Sequence, residues 1–297
     1  MTKPLVIYHA NCADGTGAAY CAWLRYKDEA EYFPALYNTC DSVDQLDKLP
    51  PLAGRVVYIL DFSFSVAVTT AIADQCESLV WLDHHKSAID AWCGESFLKS
   101  GESRYVFDSP QRCIVLDNNK SGCKLAWEYF ESFKAPLWVN MIDDRDRWQF
   151  NLYGSKAFNA AISLERPWTF ESWDKMLDEP VGDIVNRGHA VLRAYDQQVA
   201  SIAKHGRECV ISLGEDSKQG LAINTNVHIS EVGHELALKS GTYGLVWYLG
   251  DKNVAKCSLR SNGDYDVSVM AKQFGGGGHK NAAGFSIDIQ MLLMMLK

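Results

Sequence analysis

Four segments of this chain carry side chains of the kind that bind metal ions and phosphate. His9 and Asp14 lie close together in LVIYHANCADGTGAAY, and Asp61 closes the apolar run VVYILD. Asp83, His84 and His85 are consecutive in VWLDHHKS, and three aspartates alternate with two arginines in IDDRDRW at 142–148. An oxygen-rich set with imidazoles and no thiolate suits Mn2+ or Mg2+ better than structural zinc. With one carboxylate bridging, such a set can hold two ions about 3.5–4 Å apart, which generates hydroxide and stabilises the entering and leaving oxygens of phosphoryl transfer. Adjacent side chains leaving a strand point in opposite directions, so His84 and His85 divide the work, one toward a metal and the other toward a substrate phosphate. Each segment also has a plain structural reading. Asp14 can cap a helix beside a buried histidine, and Asp61 can cap the helix after it. Asp83, His84 and His85 can be a hydrogen-bonded core feature, and 142–148 a self-paired solvated face. The combination favours chemistry over these separate readings.

A second group lies near the C-terminus. Strand alternation in SLRSN puts Ser258 and Arg260 on one face, where the planar guanidinium can meet phosphate while Leu259 packs inward. The run Gly275, Gly276, Gly277, Gly278 then leads to His279 and offers backbone amides unobstructed by side chains, an anion site of the nest type. It is not a Walker loop, because Lys280 is followed by Asn281 and the glycine spacing differs. A flexible turn is the structural alternative. Ala282, Ala283 and Gly284 are expected to pack closely under the loop.

The elements that must position these residues alternate. Strand-like runs at 5–11, 55–62 and 78–85 are separated by the helical patterns DGTGAAYCAWLRYKD and FSVAVTTAIADQC, which predicts βαβ units and a parallel sheet covered by helices. Ligands of such sheets gather beyond the carboxyl ends of the strands, where His9, Asp14, Asp61, Asp83, His84 and His85 all fall. Ser121 is a plausible N-cap for a helix near 121–134, and a second helix runs through APLWVNMIDDRDRWQF. Strand-like pieces return after 206 as ECVISLG, GLAINTN, YGLVWYLG and VAKCSLRS, with a helix at SEVGHELALKSG. The fold expected is α/β, with a catalytic metal-binding domain over 1–150, a helical connection over 151–205 and a smaller α/β substrate-binding domain with a mixed sheet over 206–297. The apolar end IDIQMLLMMLK is read as a packed helix, with a homodimer contact as the alternative.

Composition narrows the partners. With 29 Lys+Arg against 37 Asp+Glu the net charge is −8, which disfavours a spread basic surface tracking long duplex nucleic acid and leaves room for a small phosphorylated substrate. No run approaches the ~18 apolar residues of a membrane helix, and the opening residues lack a secretory pattern, so a cytoplasmic protein without membrane contact is expected. Nine cysteines, odd in number and with no two at C-x-x-C spacing, are expected to be reduced.

Together, Asp83-His84-His85 and GGGGHKNAAGF at 275–285 resemble the DHH superfamily of phosphoesterases, specifically members with the DHH-associated C-terminal domain, such as the nanoRNase and phosphoadenosine phosphate phosphatase types. The resemblance covers nearly the whole chain. It implies a Mn2+-dependent phosphodiesterase or phosphohydrolase with two metal sites, also open to Mg2+ or Co2+, acting on short oligonucleotides or small nucleotides. By motif, His9, Asp14, Asp61, His84 and Asp144 would be metal ligands, with Asp61 bridging. Asp83 and His85 would be the catalytic pair, Asp83 orienting the metal-binding histidine or lying close to the metals, and His85 facing the phosphate. Arg260, Gly276, Gly277, Gly278 and His279 would bind substrate. Asp144 fits the fourth motif by its spacing to Trp148, and Asp146 is the nearest competitor. Family members usually carry two aspartates two residues apart in the first motif, whereas Cys12 precedes Asp14 here and Thr16 follows it. That departure leaves the filling of one metal site to water, Asn11 or Cys12. It also motivates an alternative, a nucleotide-binding regulatory module with weak or lost hydrolysis. A single-strand-specific exonuclease is a further alternative.

Overall fold

The computed structural model describes residues 2–94, 96–131, 133–213 and 216–296, and its contacts divide the chain into two compact units, Met1–Leu192 and Arg193–Lys297. In the first unit β1 (Leu5–His9), β2 (Glu31–Ala35), β3 (Val56–Leu60), β4 (Ser78–Asp83), β5 (Arg104–Asp108) and β6 (Arg112–Asp117) form one sheet in the order β2-β1-β3-β4-β6-β5. All pairings are parallel except β5 with β6. Parallel neighbours need crossovers, and α1 (Ala13–Tyr26) and α2 (Val66–Gln75) supply them after β1 and β3. The helices α3 (Lys86–Cys93) and α4 (Ser96–Lys99) follow β4.

Alternation along the strands builds two cores. Val6, Tyr58, Leu60, Val80 and Leu82 pack with Ala18, Ala22, Leu125 and Ile142 on one face. On the other, Leu5, Ile7, Val57, Ile59, Leu79 and Trp81 pack with Val68, Ile72 and Ile89. Both faces are covered, which is why these strands are near-continuous apolar runs in the sequence. The strands β2, β5 and β6 were not among those expected. Pro34 is tolerated in β2 because that strand lies at the sheet edge.

After β6 come α5 (Gly122–Phe130), α6 (Leu137–Asp146), α7 (Ser155–Ile162), α8 (Phe170–Leu177) and α9 (Val181–Ala203). Ser121 does cap α5, its hydroxyl accepting from the Lys124 amide. The segment 151–205 is mainly helical, as its periodicity predicts, but it does not stand apart as a connection. Phe158, Trp173 and Ile184 are buried in the same core as Trp23 and Trp138, so the chain up to Leu192 belongs to the first unit.

The second unit has its own six-stranded sheet, made of β7 (Arg207–Leu213), β8 (Asp216–Asn224), β9 (Tyr243–Leu249), β10 (Val254–Ser261), β11 (Gly277–His279) and β12 (Ala282–Asp288). The order is β11-β12-β10-β9-β8-β7, and only β8 with β9 is parallel, which makes the sheet mixed. One face carries α11 (Val267–Lys272) and α12 (Ile289–Met295), with Met270 and Leu292 buried against Leu259 and Phe285. The other carries α10 (Ile229–Ser240) and the end of α9, through Leu236, Val232 and Val199. No described helix is long and apolar enough to cross a membrane, and all nine cysteines are free.

In the first sheet β2 pairs on one side of β1 and β3 on the other. At such a reversal the crossovers leave in opposite directions and open a crevice above the carboxyl ends of the strands. His9 ends β1, Asp61 directly follows β3, and Asp83 ends β4.

Candidate functional site

Local backbone geometry brings these side chains together. Asp61 leaves β3 with φ at +52°, a left-handed conformation that Asp adopts more readily than most residues. Asn11, at φ +59°, turns the chain between β1 and α1. Two glycines permit close approach. A Cβ on Gly15 would lie 2.2 Å from the His9 carbonyl oxygen, and one on Gly122 would lie 2.3 Å from Cβ of Asp61. The start of α5 then serves as an anion holder, because the Gly122 amide donates to Asp14 Oδ2 at 2.6 Å and the Cys123 amide to Asp14 Oδ1 at 2.9 Å. Free amides and the helix dipole favour a carboxylate at that position.

His84 is the hub. Its Nε2 lies 3.1 Å from Asp61 Oδ1, 3.4 Å from Asp146 Oδ2 and 3.5 Å from Asp14 Oδ2. The other oxygen of Asp61, Oδ2, faces His9 Nδ1 at 3.6 Å. That oxygen is buried and accepts no hydrogen bond. Asn118 Nδ2 donates to the His84 carbonyl at 3.0 Å and holds its backbone. Next to this group, His85 Nδ1 meets Asp83 Oδ1 at 2.7 Å, Ser63 Oγ donates to Asp83 Oδ2, and the Tyr37 hydroxyl lies 3.3 Å from His85 Nε2. His84 and His85 thus turn to different partners, as strand alternation requires, and Asp83 orients His85 and not the metal-facing His84 that the motif reading assigned to it.

The charges are crowded. Burial opposes ionisation of Asp61, but the close imidazoles of His84 and His9 outweigh it and hold the carboxyl well below its usual range. Asp14 is pushed well above that range by burial and by the charges of Asp61 and Asp146. Asp146 is raised by burial, with His84 opposing and Asp61 adding to the rise. Burial disfavours the His84 cation, yet Asp61, Asp146 and Asp14 raise it well above the usual imidazole value. Burial would lift Asp83, but the neighbouring His85 holds it below the carboxylate range. Loss of solvent around the Cys12 thiol, reinforced by Asp61 and Asp146, pushes it up to about 12. Three carboxylates crowd one imidazole here, and the rise of Asp14, Asp146 and His84 is the response to that crowding. A divalent cation would relieve it. Ligand atoms of His9, Cys12 and Asp61 lie within 4.8 Å of one another, as do those of Asp14, His84 and Asp146, and those of Asp61, Asp83, His84 and His85.

One expected ligand points elsewhere. Asp144 accepts from the Asn151 amide at 2.8 Å, the Leu152 amide at 3.2 Å and Ser155 Oγ at 2.5 Å, which makes it the tie between α6 and the turn into α7. Asp146, two residues later and so on the opposite side of the helix, is the one that meets His84. The remaining acid of the segment, Asp143, is buried and pairs with Lys124 at 3.0 Å and Arg147 at 3.6 Å, so of the self-paired solvated reading only the Arg147 contact is found. Ser63, Tyr37, Asn118 and Gly122 were not anticipated. Only Gly122 had a signal, since a capped helix start next to an expected cluster of acids is a place for a carboxylate.

In the second unit, Arg260 lies on β10 beside α10, its Nη2 donating to Ser230 Oγ and its Nη1 to the Leu259 carbonyl, each at 2.8 Å. The glycine run is less open than an anion nest requires. The Gly275 and Gly276 amides donate to the Lys272 and Ala271 carbonyls at the end of α11. Gly277, Gly278 and His279 form β11, an edge strand paired with β12. The glycines serve close packing, since a Cβ on Gly276 would lie 2.1 Å from the Gly284 carbonyl oxygen.

Residues 225–296 match the DHHA1 domain. The DHHA1 domain so defined contains α10 to α12 and with them Arg260 and the glycine hairpin. Over its length the chain is similar to an uncharacterized protein of Acanthamoeba polyphaga mimivirus, 29% identical across 96% of this chain and 67% of that protein. Among solved structures, it is similar to an uncharacterized protein of Helicobacter pylori, with 17% identity, a TM-score of 0.43 and coverage of 98% of this chain and 97% of that one. It is also similar to a pGpG-specific phosphodiesterase of Vibrio cholerae, with 14% identity, a TM-score of 0.47 and coverage of 98% and 96%.

Proposed function

We propose that this chain is a divalent-metal-dependent phosphoesterase of the DHH superfamily that hydrolyses short oligonucleotides or small nucleotides. The observation that carries the proposal is the Asp61 carboxylate, buried between two sets of ligands at the carboxyl ends of parallel strands. One oxygen is on His84, and the other faces His9 without a hydrogen bond. A carboxylate so placed suits the bridge of a two-metal centre. The DHHA1 match supports the superfamily reading.

His9, Asp14, Asp61, His84 and Asp146 would hold the ions, Mn2+ being the cation best suited to this mix of oxygen and imidazole. The chemistry such ions supply is neutralisation of phosphoryl oxygens and a lowered pKa for water. The chain's own residues do the positioning. Asp83 holds the His85 ring through Nδ1, which leaves Nε2, beside Tyr37, as the edge that can meet a phosphate oxygen. The α5 amides keep Asp14 aimed at His84. Arg260, braced by Ser230, is the phosphate-binding group we assign to the DHHA1 domain, with His279 on β11 as its companion.

The test is one panel with Mn2+ present, covering dinucleotides, longer RNA and DNA, phosphoadenosine phosphate, cyclic dinucleotides and pyrophosphate. Turnover of dinucleotides or small nucleotides is expected, and Asp61→Asn should abolish it. Near-normal rates in that variant would remove the bridging role. Arg260→Ala should raise KM while leaving cation binding intact. Cys12, standing where a carboxylate is usual, favours the second reading of a nucleotide-binding regulatory module. Tight nucleotide binding with no hydrolysis under Mn2+, Mg2+ and Co2+ would select it.

A further inference from the structure

We propose that the centre nearer β1 is a thiolate site, in which Cys12 Sγ joins His9 and Asp61 around a cation of borderline softness such as Zn2+, Co2+ or Fe2+. The inference rests on reading the cluster as a divalent-metal centre and adds to it which ion one half selects.

Three observations converge. The ligand atoms of His9, Cys12 and Asp61 come within 4.8 Å of one another as a group distinct from Asp14, His84 and Asp146. Asp61 is 1% exposed, and its Oδ2, the oxygen facing His9, is buried without a hydrogen-bond donor. Cys12 occupies the N-cap position of α1, yet its side chain makes no capping hydrogen bond. Ser, Thr, Asp or Asn would serve the helix better there, so helix stability gives no reason for a thiol. A thiolate donor changes the preference of the site, because sulfur favours Zn2+ and Co2+ over Mg2+, and a coordinated thiol is deprotonated outright. The group around Asp14, His84 and Asp146 has only carboxylate oxygen and imidazole nitrogen to offer and suits a harder ion. The two halves of the cage would then differ in ion preference, with Asp61 shared between them.

Cobalt reports the sulfur directly. The intact chain is titrated with Co2+ while the visible d–d bands and the near-ultraviolet thiolate-to-cobalt charge-transfer band are recorded. The wild type should show both. Cys12→Ser and Cys12→Asp should lose the charge-transfer band and keep d–d bands, and the Ser variant should bind its weaker Co2+ at least tenfold less tightly. The Asp variant should shift preference toward Mn2+ and Mg2+ over Zn2+ in competition titrations. Cys12→Ser installs a better helix cap without adding charge to the cluster, so its thermal melting should be unchanged or raised and loss of its band cannot be ascribed to unfolding, while Cys12→Asp, which adds a carboxylate beside Asp61 and Asp146, is melted with the cation bound. d–d bands without charge transfer in the wild type, or charge transfer that survives Cys12→Ser, would overturn the thiolate assignment while leaving the metal centre standing. Failure to bind Co2+ at all would overturn both.

Discussion

Replacing Gly122 with Ala tests how the site is held together, because helix preference and site geometry predict opposite signs. Gly122 is the first residue of α5, where Ala is ordinarily better than Gly by up to ~1 kcal/mol. In this structure the added Cβ would lie 2.3 Å from Asp61 Cβ, 2.7 Å from Asp61 Oδ1 and 2.8 Å from Asp61 Cα. The obstacle is partly backbone and belongs to a residue already at positive φ, so it cannot swing away as a flexible side chain would. Either α5 retreats and its amide leaves Asp14, or Asp61 is displaced. Overpacking of this kind costs about 1–3 kcal/mol, which exceeds the helix gain. For a unit of this size each kcal/mol moves Tm by roughly 2–4 °C, so the net loss of up to about 2 kcal/mol left after the helix gain lowers Tm by up to about 8 °C. The effect on the site should be larger than on the fold, since a displacement of about 1 Å among reacting groups can cost on the order of 10²-fold in rate. The control is Gly182→Ala in the first turn of α9, where the new Cβ meets nothing within 4 Å. It should stabilise by about 0.4–1 kcal/mol and leave the site untouched. Differential scanning calorimetry with Co2+ titration of both variants reads the outcome. If Gly122→Ala melts with or above the wild type and binds Co2+ normally, the close approach of α5 to Asp61 is not what shapes the site.

Asp144 and Asp146 should separate cleanly. Asp144→Asn weakens charge-assisted bonds to the 151–155 turn and should lower stability by about 1.5–3 kcal/mol in urea melts with cation binding intact. Asp146→Asn relieves crowding around His84 and should leave Tm unchanged or higher while cutting cation affinity, and the reverse pattern would restore Asp144 as the ligand. Ser63→Ala removes one of the bonds that hold Asp83 and through it His85. It should lower kcat about tenfold, with KM and Co2+ binding little changed and Ser63→Thr restoring the rate. A parallel fall in Co2+ affinity would instead make Ser63 part of the metal support.

Much of this arrangement is visible in the primary structure because parallel sheets are regular. Runs that end in His9, Asp61 and Asp83-His84-His85 are apolar on both faces, and a polar residue can appear only where such a strand leaves the core. Residues at these exits share one edge of the sheet, so their convergence follows from the pattern before any coordinates are known. The short strand β2 was less legible because it contains Pro34, and β5 because it is largely exposed at the far edge. The glycine run was legible as a place needing small residues. Its actual use, pairing β11 with β12 and closing the end of α11, depends on chain segments that no local pattern specifies.

The amino-acid sequence alone determines the two α/β units, the strand exits and the ligand types collected there, because these depend on local periodicity and side-chain chemistry. Only the tertiary structure shows that Asp146, and not Asp144, comes to His84. Two residues on a helix face nearly opposite ways, and which of them meets His84 depends on how α6 is seated against α1 and α5. The same holds for the glycine at 122 and the two-sided surroundings of Asp61. Each arises where segments distant in the chain come within a few ångströms, and the energetic consequence of such an approach is written in neither segment by itself.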